Sequence, residues 1–254
     1  MSLFGRLFGG GALHAESRKL GKVLGEIFTM IEPALVAGTT TAALDAAVEA
    51  QMSRLGVSSS FRMLRFPGCC TTAIDAEVIN VPPSSRRLES GQLLKLQIGI
   101  KGRTTYAMQA WTYPIGPVVD EEAQRLLAAG REALRLAIDA ARARNRVGTL
   151  SAAIQTRIEA DGFSVNRQFI GHGVDTRPHA DPPISGFGQA ESGPRLREGA
   201  ILSLNVIAHA GTFECEVKGD NWTTVAKDGA RCVHFGQMVI VSDGPAELLT
   251  TERA

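Results

Sequence analysis

The side chains of this chain that could do chemistry are two histidines in a loop, a pair of adjacent cysteines and several carboxamides. His172 and His179 are seven residues apart in a segment rich in glycine and proline. A neutral imidazole can serve as a general acid or base near pH 7, so the pair is compatible with proton transfer. Two histidines held by amide side chains are equally typical of a satisfied polar core, and the residues alone leave both interpretations open.

Cys69 and Cys70 form the second candidate group, either as a nucleophile or as part of a pocket wall. A nucleophilic thiolate needs a cation or a helix N-terminus beside it to lower its pKa, and His172 could supply that charge. A buried cysteine that acts as a small apolar residue is the more common alternative. Adjacent cysteines rarely bridge each other and the chain has no C-x-x-C zinc spacing, so we expect a reducing compartment, the cytoplasm.

Carboxamides in the middle of apolar strands are the third group. Alternating apolar residues predict four strands, over 93–100, 104–112, 200–207 and 233–241. Gln97, Asn205 and Gln237 lie inside three of them. A buried amide without hydrogen-bond partners costs about 1–3 kcal/mol, so these side chains predict a polar pocket or network.

Apolar residues at helical spacing predict the helices that pack against these strands. The first helix should end near Pro33, because proline disfavours helical geometry in the residue before it. A second helix begins at a threonine cap within 39–41 and ends at Gly56. A long helix is predicted over 121–144.

The helical pattern also repeats. Residues 38–50 read GTTTAALDAAVEA and residues 148–160 read GTLSAAIQTRIEA, with the apolar positions in the same phase. Each copy follows a longer helix and precedes strands separated by glycines. Two copies are too few for a solenoid, so the repeat predicts an α/β fold of two related halves that face each other across a cleft.

Composition sets the class of protein. The 27 lysines and arginines balance 26 acidic residues, and the formal net charge is +1. This balance excludes a general nucleic-acid binder, which would carry a basic excess or stripe. Hydrophobic residues make up 44% of the chain, which is enough for a core, and no run reaches the ~18 apolar residues of a membrane span. We expect a flexible tail over 1–14 and a single domain over 15–254, with halves of about 15–118 and 119–250, and the oligomeric state stays open.

From about residue 16 to residue 250 the chain resembles the methionine aminopeptidases, the pita-bread metallopeptidases of family M24. The resemblance rests on an ordered set of motifs, since G-H-G alone would be weak evidence. These motifs are MIEP at 30–33, GFSV and GHG within 162–173, RPHADPP around His179, LREGAILSLN ending at Asn205, Asn221-Trp222-Thr223, and the closing VIVSDGPAELLT. The resemblance implies a pita-bread α/β fold with two pseudo-symmetric halves around a central cleft.

The resemblance also implies where the family's two-metal site would lie. Family members build it from two aspartates, one histidine and two glutamates. In this chain those positions fall on Gln97, Met108, His172, Asn205 and Gln237. Of the family's two substrate-contacting histidines, one falls on Asn80 and the other is kept as His179. Four further residues fall on the walls of the implied pocket: Phe66, Cys69, Cys70 and Trp222.

These replacements remove the charge that a metal pair needs. A neutral carboxamide is a poor ligand for transition metals, and four of the five implied donors are amides or a thioether. Without metals no bound water is acidified, so we expect no metal and no other cofactor. The alternative is that acidic residues elsewhere reach the site, with Asp75, Glu77, Glu214 and Glu216 as the possibilities.

The sequence therefore predicts a methionine-aminopeptidase-like protein that has lost its metal site and binds a peptide end or a small ligand in the cleft. One alternative is a metal-free enzyme that acts on a C–N bond with His172 and His179 as acid and base. The other is an active metalloaminopeptidase that removes N-terminal methionine. The sequence does not identify the ligand.

Overall fold

The computed structural model describes residues 10–117, 120–251 and 253, and every structural statement below refers to these residues. The helices are α1 (Gly10–Ile31), α2 (Thr41–Leu55), α3 (Ser60–Met63), α4 (Glu121–Ala140) and α5 (Val147–Ala160). The strands of the first half are β1 (Ser58–Ser59), β2 (Cys70–Ile74), β3 (Glu77–Ile79), β4 (Leu93–Lys101) and β5 (Tyr106–Pro114). Those of the second half are β6 (Ser164–Val165), β7 (Gly171–Gly173), β8 (Ala180–Ile184), β9 (Ile201–His209), β10 (Cys215–Val217), β11 (Thr224–Ala226), β12 (Cys232–Ile240) and β13 (Glu247–Leu248).

A large antiparallel sheet joins the two halves. Its strand order is β1-β4-β5-β12-β9-β7-β8, with β2 on β4, β6 on β9 and β13 on β12. The strands β4 and β5 form the hairpin that the sequence predicts, and β5 pairs with β12 of the second half through Gly236 and Ala110. A small second sheet, in the order β10-β11-β3, connects residues from both halves.

Each half carries its own helices on one face of the sheet. In the first half, α1 and α2 bury apolar residues such as Leu24, Phe28 and Leu44 against the sheet. In the second half, α4 and α5 do the same with residues such as Leu126 and Leu150. The helices therefore cover one face of the large sheet. The side chains on the opposite face are free to line a cleft. None of the helices in the described part of the chain is long and apolar enough to cross a bilayer.

The ends of the helices agree with the sequence at several points and differ at two. The first helix ends at Ile31, Thr40 caps α2 by accepting from the Ala43 N–H, and Gly56 ends α2 in the left-handed conformation. The helix predicted over 121–144 ends earlier, at Ala140, where the Asn145 side chain donates to the Ala140 carbonyl.

The predicted tail over 1–14 is wrong for its last residues. Residues 10–14 are the first turn of α1, and His14 donates from Nε2 to the carbonyl of Gly199, 2.7 Å away. This bond ties the start of the helix to the second half of the chain, which the local sequence does not show. Residues 1–9 lie outside the described residues, as do 118 and 119, where the sequence divides the two halves.

Gly21 makes the close approach of α1 to the C-terminal segment possible. A Cβ atom at Gly21 would lie 1.8 Å from the Leu249 carbonyl oxygen, so the two backbones could not stay in place. Gly21→Ala is therefore expected to lower the free energy of unfolding by at least about 2 kcal/mol, although alanine favours a helix over glycine by about 1 kcal/mol. Urea denaturation measures this change. In Gly11→Ala on the same helix the new Cβ meets nothing within 4 Å, and this control should be neutral or stabilised; equal stability of the two variants would contradict the packing argument.

Candidate functional site

A cavity of about 230 Å³ lies against the uncovered face of the large sheet. Its lining residues are Phe61, Leu64, Phe66, Ile79, Asn80, Gln97, Phe169, Ile170, His172, His179, Asn205, Ile207, Trp222 and His234. Among the residues that the structure describes, the lining contains no aspartate, glutamate, lysine or arginine. Its polar side-chain groups are therefore carboxamides, imidazoles and the Trp222 indole N–H, and the remainder is aromatic or aliphatic.

The register of the central strands fixes which side chains face this cavity. Ala110 of β5 is paired with Gln97 on one side and with Gly236 on the other, and Gly236 is paired with Asn205. Paired residues in antiparallel strands share a face, so these four residues lie on the cleft face. The Gln97 Oε1 atom is buried there without a hydrogen-bond partner, which leaves one acceptor in the cavity lining available to a ligand.

Gln237 does not lie in the cleft, contrary to the prediction from the sequence. Successive residues of a strand point to opposite faces, and Gln237 is the neighbour of Gly236 on β12. Its amide donates to the Thr250 carbonyl at 3.2 Å, and the Gln109 amide donates to the Thr251 carbonyl at 2.6 Å. These two carboxamides therefore hold the C-terminal segment on the helix-covered face. The residue beside Asn205 on the cleft face is Gly236.

Met108 faces the cleft side of the sheet through its pairing with Gly99, but it is not part of the cavity lining. Its side chain belongs to the hydrophobic core, where its own backbone N–H donates to the Met238 sulfur at 3.2 Å. The metal position that the resemblance assigns to Met108 therefore holds a packed apolar side chain.

His172 and His179 meet at the cavity, as the sequence predicts for a candidate acid–base pair. Their ring centroids are 4.3 Å apart and the ring planes cross at 62°. The Gly173 carbonyl can only accept, so His172 donates to it from Nδ1, 3.0 Å away, and its Nε2 keeps a lone pair. Burial, opposed by this bond and reinforced by His179, lowers the pKa of His172 to about 4, and burial also lowers the pKa of His179. Both imidazoles are therefore neutral at pH 7.

His234 is a third histidine of the site, and the sequence pattern did not predict it. Its Nε2 donates to the Asn205 Oδ1 atom at 2.9 Å. Burial, followed by the charge of Lys95, lowers its pKa to about 3. The sequence could have indicated His234, because it is two residues before Gly236 and therefore lies on the same face of β12. That prediction depends on assigning Gly236, and not Gln237, to the cleft face.

Aromatic side chains form the apolar wall. Phe66 packs edge-on against Trp222 with ring centroids 5.2 Å apart, and the Phe61 ring is tilted against Phe66 with centroids 5.5 Å apart. The structure thus brings two predicted pocket residues, Phe66 and Trp222, into contact. Leu64 and Ile170 also line the cavity and remain partly exposed to solvent.

Cys69 and Cys70 do not line the cavity, and their predicted role in its wall is wrong. Both backbone N–H groups donate to the Asp45 carboxylate, at 2.6 and 3.0 Å, while the Cys69 sulfur accepts from Arg62 at 3.0 Å. Burial raises the pKa of both thiols, and the nearby Asp45 carboxylate raises the pKa of Cys70 further. Thiols in this environment stay protonated at pH 7, which is typical of structural rather than nucleophilic cysteines.

The acidic residues considered as replacement ligands are bound elsewhere or exposed. Glu77 forms an ion pair with Arg86 at 2.8 Å, and Asp75 lies 3.8 Å from Arg231. Glu214 and Glu216 are exposed. In the described part of the chain, no three His, Cys, Asp or Glu residues are grouped so that they could hold a metal ion.

Comparison with known proteins places this geometry in a family. The model of metallopeptidase family M24 matches residues 15–243. Methionine aminopeptidase 1 of Bacillus subtilis is 31% identical over 92% of this chain and 94% of its own length, and the Clostridium perfringens enzyme is 32% identical with the same coverage. The crystal structure of the Thermotoga maritima methionine aminopeptidase superposes with a TM-score of 0.92 at 29% identity, over 95% of this chain and 98% of the other. By sequence and by its α/β pita-bread fold, this chain belongs to metallopeptidase family M24, among the relatives of the methionine aminopeptidases.

Proposed function

We propose that this chain is a methionine-aminopeptidase-like protein that has lost the dinuclear metal site and the metal-dependent peptidase activity, and that its cleft binds a peptide end or a small ligand. The observation that carries the proposal is the cleft face of the central strands. There Gln97, Met108, Asn205 and Gly236 stand where a metal pair would need carboxylates, and none of them carries a charge.

The donors that remain do not fit a pair of divalent ions. Two such ions carry four positive charges, and desolvating them without anionic ligands costs far more than imidazole coordination returns. The His172 and His234 side chains also each have one nitrogen engaged, with the Gly173 carbonyl and with Asn205. The replacements support each other, because four buried carboxylates without cations would repel one another.

A neutral cavity of this kind suits binding by shape and hydrogen bonds. The aromatic wall around Phe66 and Trp222 offers apolar surface to a side chain, and Asn80, Gln97 and Asn205 offer amide donors and acceptors. A small number of polar groups in an otherwise apolar cleft is typical of ligand sites.

The purified protein is expected to contain no stoichiometric pair of metal ions and to release no N-terminal methionine when Co²⁺ or Mn²⁺ is added. Elemental analysis measures the metal content, and mass spectrometry of Met-Ala-Ser measures the release. An active methionine aminopeptidase assayed in parallel is the positive control. Two bound ions per chain, or metal-stimulated release, would establish the metalloaminopeptidase alternative and overturn the proposal.

A second candidate is a metal-free enzyme in which His172 acts as the base. The observation in its favour is that the Nδ1 bond to Gly173 orients the His172 ring and leaves its Nε2 lone pair, with His179 in ring contact. Against it, neither ring has a carboxylate partner among residues 10–117, 120–251 and 253 to stabilise the imidazolium that proton abstraction would form. His172→Asn and His179→Asn separate the candidates, since an enzyme would lose turnover while retaining substrate affinity, and a binding protein has no turnover to lose.

A further inference from the structure

We infer that the cavity takes an uncharged, N-acylated chain end with an apolar first side chain in preference to a free N-terminal ammonium. This inference rests on the proposed function, because it assigns a ligand class to the same cleft. It depends on three features of the cavity: its charge, its unpaired hydrogen-bonding atoms and its size.

The absence of acidic side chains from the lining given above disfavours a cationic ligand. None of the lining residues is acidic, so a buried ammonium would find no counter-charge, and burying an unpaired charge costs far more than burying an amide. To enter the cavity, a free N-terminus would have to lose the proton of its ammonium group or retain the water that hydrates it. Either requirement weakens its binding relative to an end that carries no charge.

The nearest buried charge makes a cation still less favourable. Lys95 is on the same strand face as Gln97, two residues away, and its Nζ donates to the carbonyls of Asp75 and Cys232 at 2.8 and 3.0 Å. It is fully buried and lies close enough to His234 to lower the pKa of that imidazole. Burial lowers the pKa of Lys95. In its charged form the Lys95 ammonium opposes a second positive charge in the cleft.

The carboxylates near Lys95 do not reverse this effect. Asp75 lies 3.8 Å from Arg231, and Glu77 lies 2.8 Å from Arg86. Neither carboxylate is part of the cavity lining. Their charges are therefore balanced by arginines outside the cleft.

The unpaired atoms of the cavity match an amide group. The Gln97 Oε1 atom is buried without a partner, and the His172 Nε2 atom has a lone pair, so the lining provides acceptors for an N–H donor. The Asn205 Oδ1 atom accepts from His234, but its Nδ2 group has only a long contact of 3.5 Å with the Ser203 hydroxyl. This N–H₂ group is therefore the part of the side chain that can donate to a ligand carbonyl. An acylated N-terminus supplies both an N–H and a carbonyl, whereas an ammonium supplies donors only.

The size of the cavity limits the ligand to about one residue and its acyl group. Its volume of about 230 Å³ is below the ~300–1,000 Å³ of pockets that hold drug-sized molecules. The contact between Phe66 and Trp222 gives the first side chain an aromatic surface. An apolar residue such as methionine or leucine is the occupant that this wall favours.

Binding of matched peptides tests the inference. Met-Ala-Ser amide is titrated as the N-acetyl form, the N-formyl form and the free amine, with Trp222 fluorescence and calorimetry as readouts. The acylated forms are expected to bind at least about tenfold more tightly than the free amine at pH 7. Equal or tighter binding of the free amine would overturn the inference and leave the proposed binding function intact, whereas absence of binding by all three up to millimolar concentration would overturn both.

A charge substitution on the cleft face gives a second, independent readout. Gln97→Glu introduces one carboxylate beside the cavity, so it is expected to weaken the acetyl peptide and strengthen the free amine, reversing or abolishing the tenfold preference. Gln51→Glu is the matched control, because Gln51 is on α2 and accepts from Arg54 at 2.8 Å, away from the cavity. An unchanged preference in Gln97→Glu, with the variant folded by circular dichroism, would contradict the electrostatic basis of the inference.

Discussion

Acidification from pH 7 to pH 5 is expected to lower the free energy of unfolding by about 5 kcal/mol, a large part of the ~5–15 kcal/mol that stabilises a typical domain. The cause is a set of three buried histidines that stay neutral in the folded protein. Burial lowers the pKa of His172 and His209 to about 4 and that of His234 to about 3. In the unfolded chain each imidazole titrates near pH 6.5.

The sign of the effect follows from which state binds more protons. As the pH falls below about 6.5, the unfolded chain takes up protons that the folded protein cannot accept, so stability falls. The loss continues until the folded pKa values of about 3 to 4 are reached, and at pH 5 it amounts to roughly 1–2 kcal/mol for each histidine. Above about pH 7.5 these three groups are almost entirely neutral in both states and cause little further change.

The groups around each imidazole support this assignment. Asn166 donates to the Nε2 atom of His209 at 3.0 Å, which leaves the proton on Nδ1, and the Asp228 and Lys95 charges act on this ring in opposite directions. Lys95 lowers the pKa of His234, and His179 lowers that of His172. In the described part of the chain no carboxylate contacts the rings of His172 and His234, and the bond to the Gly173 carbonyl offsets the burial of His172 only in part.

Urea denaturation at intervals between pH 7.5 and pH 5 measures the slope. His234→Gln retains a side-chain N–H for the bond to Asn205 but cannot titrate, so its slope should be smaller by up to about 1.4 kcal/mol per pH unit. His14→Gln serves as the comparison, because His14 is only partly buried and lies on α1, far from the cleft. A free energy of unfolding that stays constant across this range would show that the folded protein protonates these histidines.

Local pattern was enough to predict much of the fold. Proline and glycine mark the ends of α1 and α2, and the alternation of apolar residues places β4, β5, β9 and β12 to within two residues. The end of α4 at Ala140 was harder to predict. The Asn145 side-chain amide donates to the Ala140 carbonyl there, and the spacing of apolar residues carries no information about such a bond. The start of α1 depends in the same way on a contact from His14 to Gly199, 185 residues away.

The site was predicted only in part, because membership of a strand does not by itself fix which face a side chain occupies. Gln97 and Asn205 lie on the cleft face, but Gln237 is one residue from it and holds the C-terminal segment. A shift of one residue moves a side chain to the opposite face, which is why His234 was missed. Cys69 and Cys70 follow the cavity residue Phe66 closely in sequence. Only their hydrogen bonds to Asp45 show that they pack outside the cavity.

If the proposed loss of the metal site is correct, carboxylates placed on the cleft face are expected to create metal binding that the natural chain lacks. The variant carries Gln97→Asp, Met108→Asp, Asn205→Glu and Gly236→Glu, with His172 unchanged. Without metal it should be less stable than the natural protein, because four neighbouring carboxylates repel one another when buried. With Mn²⁺ at about a thousand times its dissociation constant, stability should rise by about 4 kcal/mol, and the midpoint of thermal unfolding by on the order of 10 °C.

The substitutions must be made together because Gly236 lies against the Asn205 side chain. A Cβ atom at Gly236 would lie 2.6 Å from the Asn205 Oδ1 atom and 3.1 Å from the Leu204 carbonyl oxygen. Gly236→Glu alone therefore collides with the Asn205 amide, and that amide also accepts from His234. Asn205→Glu carries its polar group one bond further from the strand, which removes this oxygen from the path of the new side chain. We expect the single Gly236→Glu variant to be destabilised by about 1–3 kcal/mol and to gain nothing from metal.

An uncharged variant separates charge from shape in this experiment. Gln97→Asn, Met108→Asn, Asn205→Gln and Gly236→Gln reproduce the volumes of the four acidic side chains without their charge, so Mn²⁺ should leave its thermal midpoint unchanged. Elemental analysis of both variants then measures the bound metal directly. If the acidic variant folds and still shows no metal-dependent stabilisation, these four positions do not account for the absence of a metal pair. If it gains about two ions per chain while the uncharged variant gains none, the absence of charge on this face of the sheet is sufficient to explain the proposed loss of the metal site. A metal pair and the carboxylates that neutralise it are each unstable without the other.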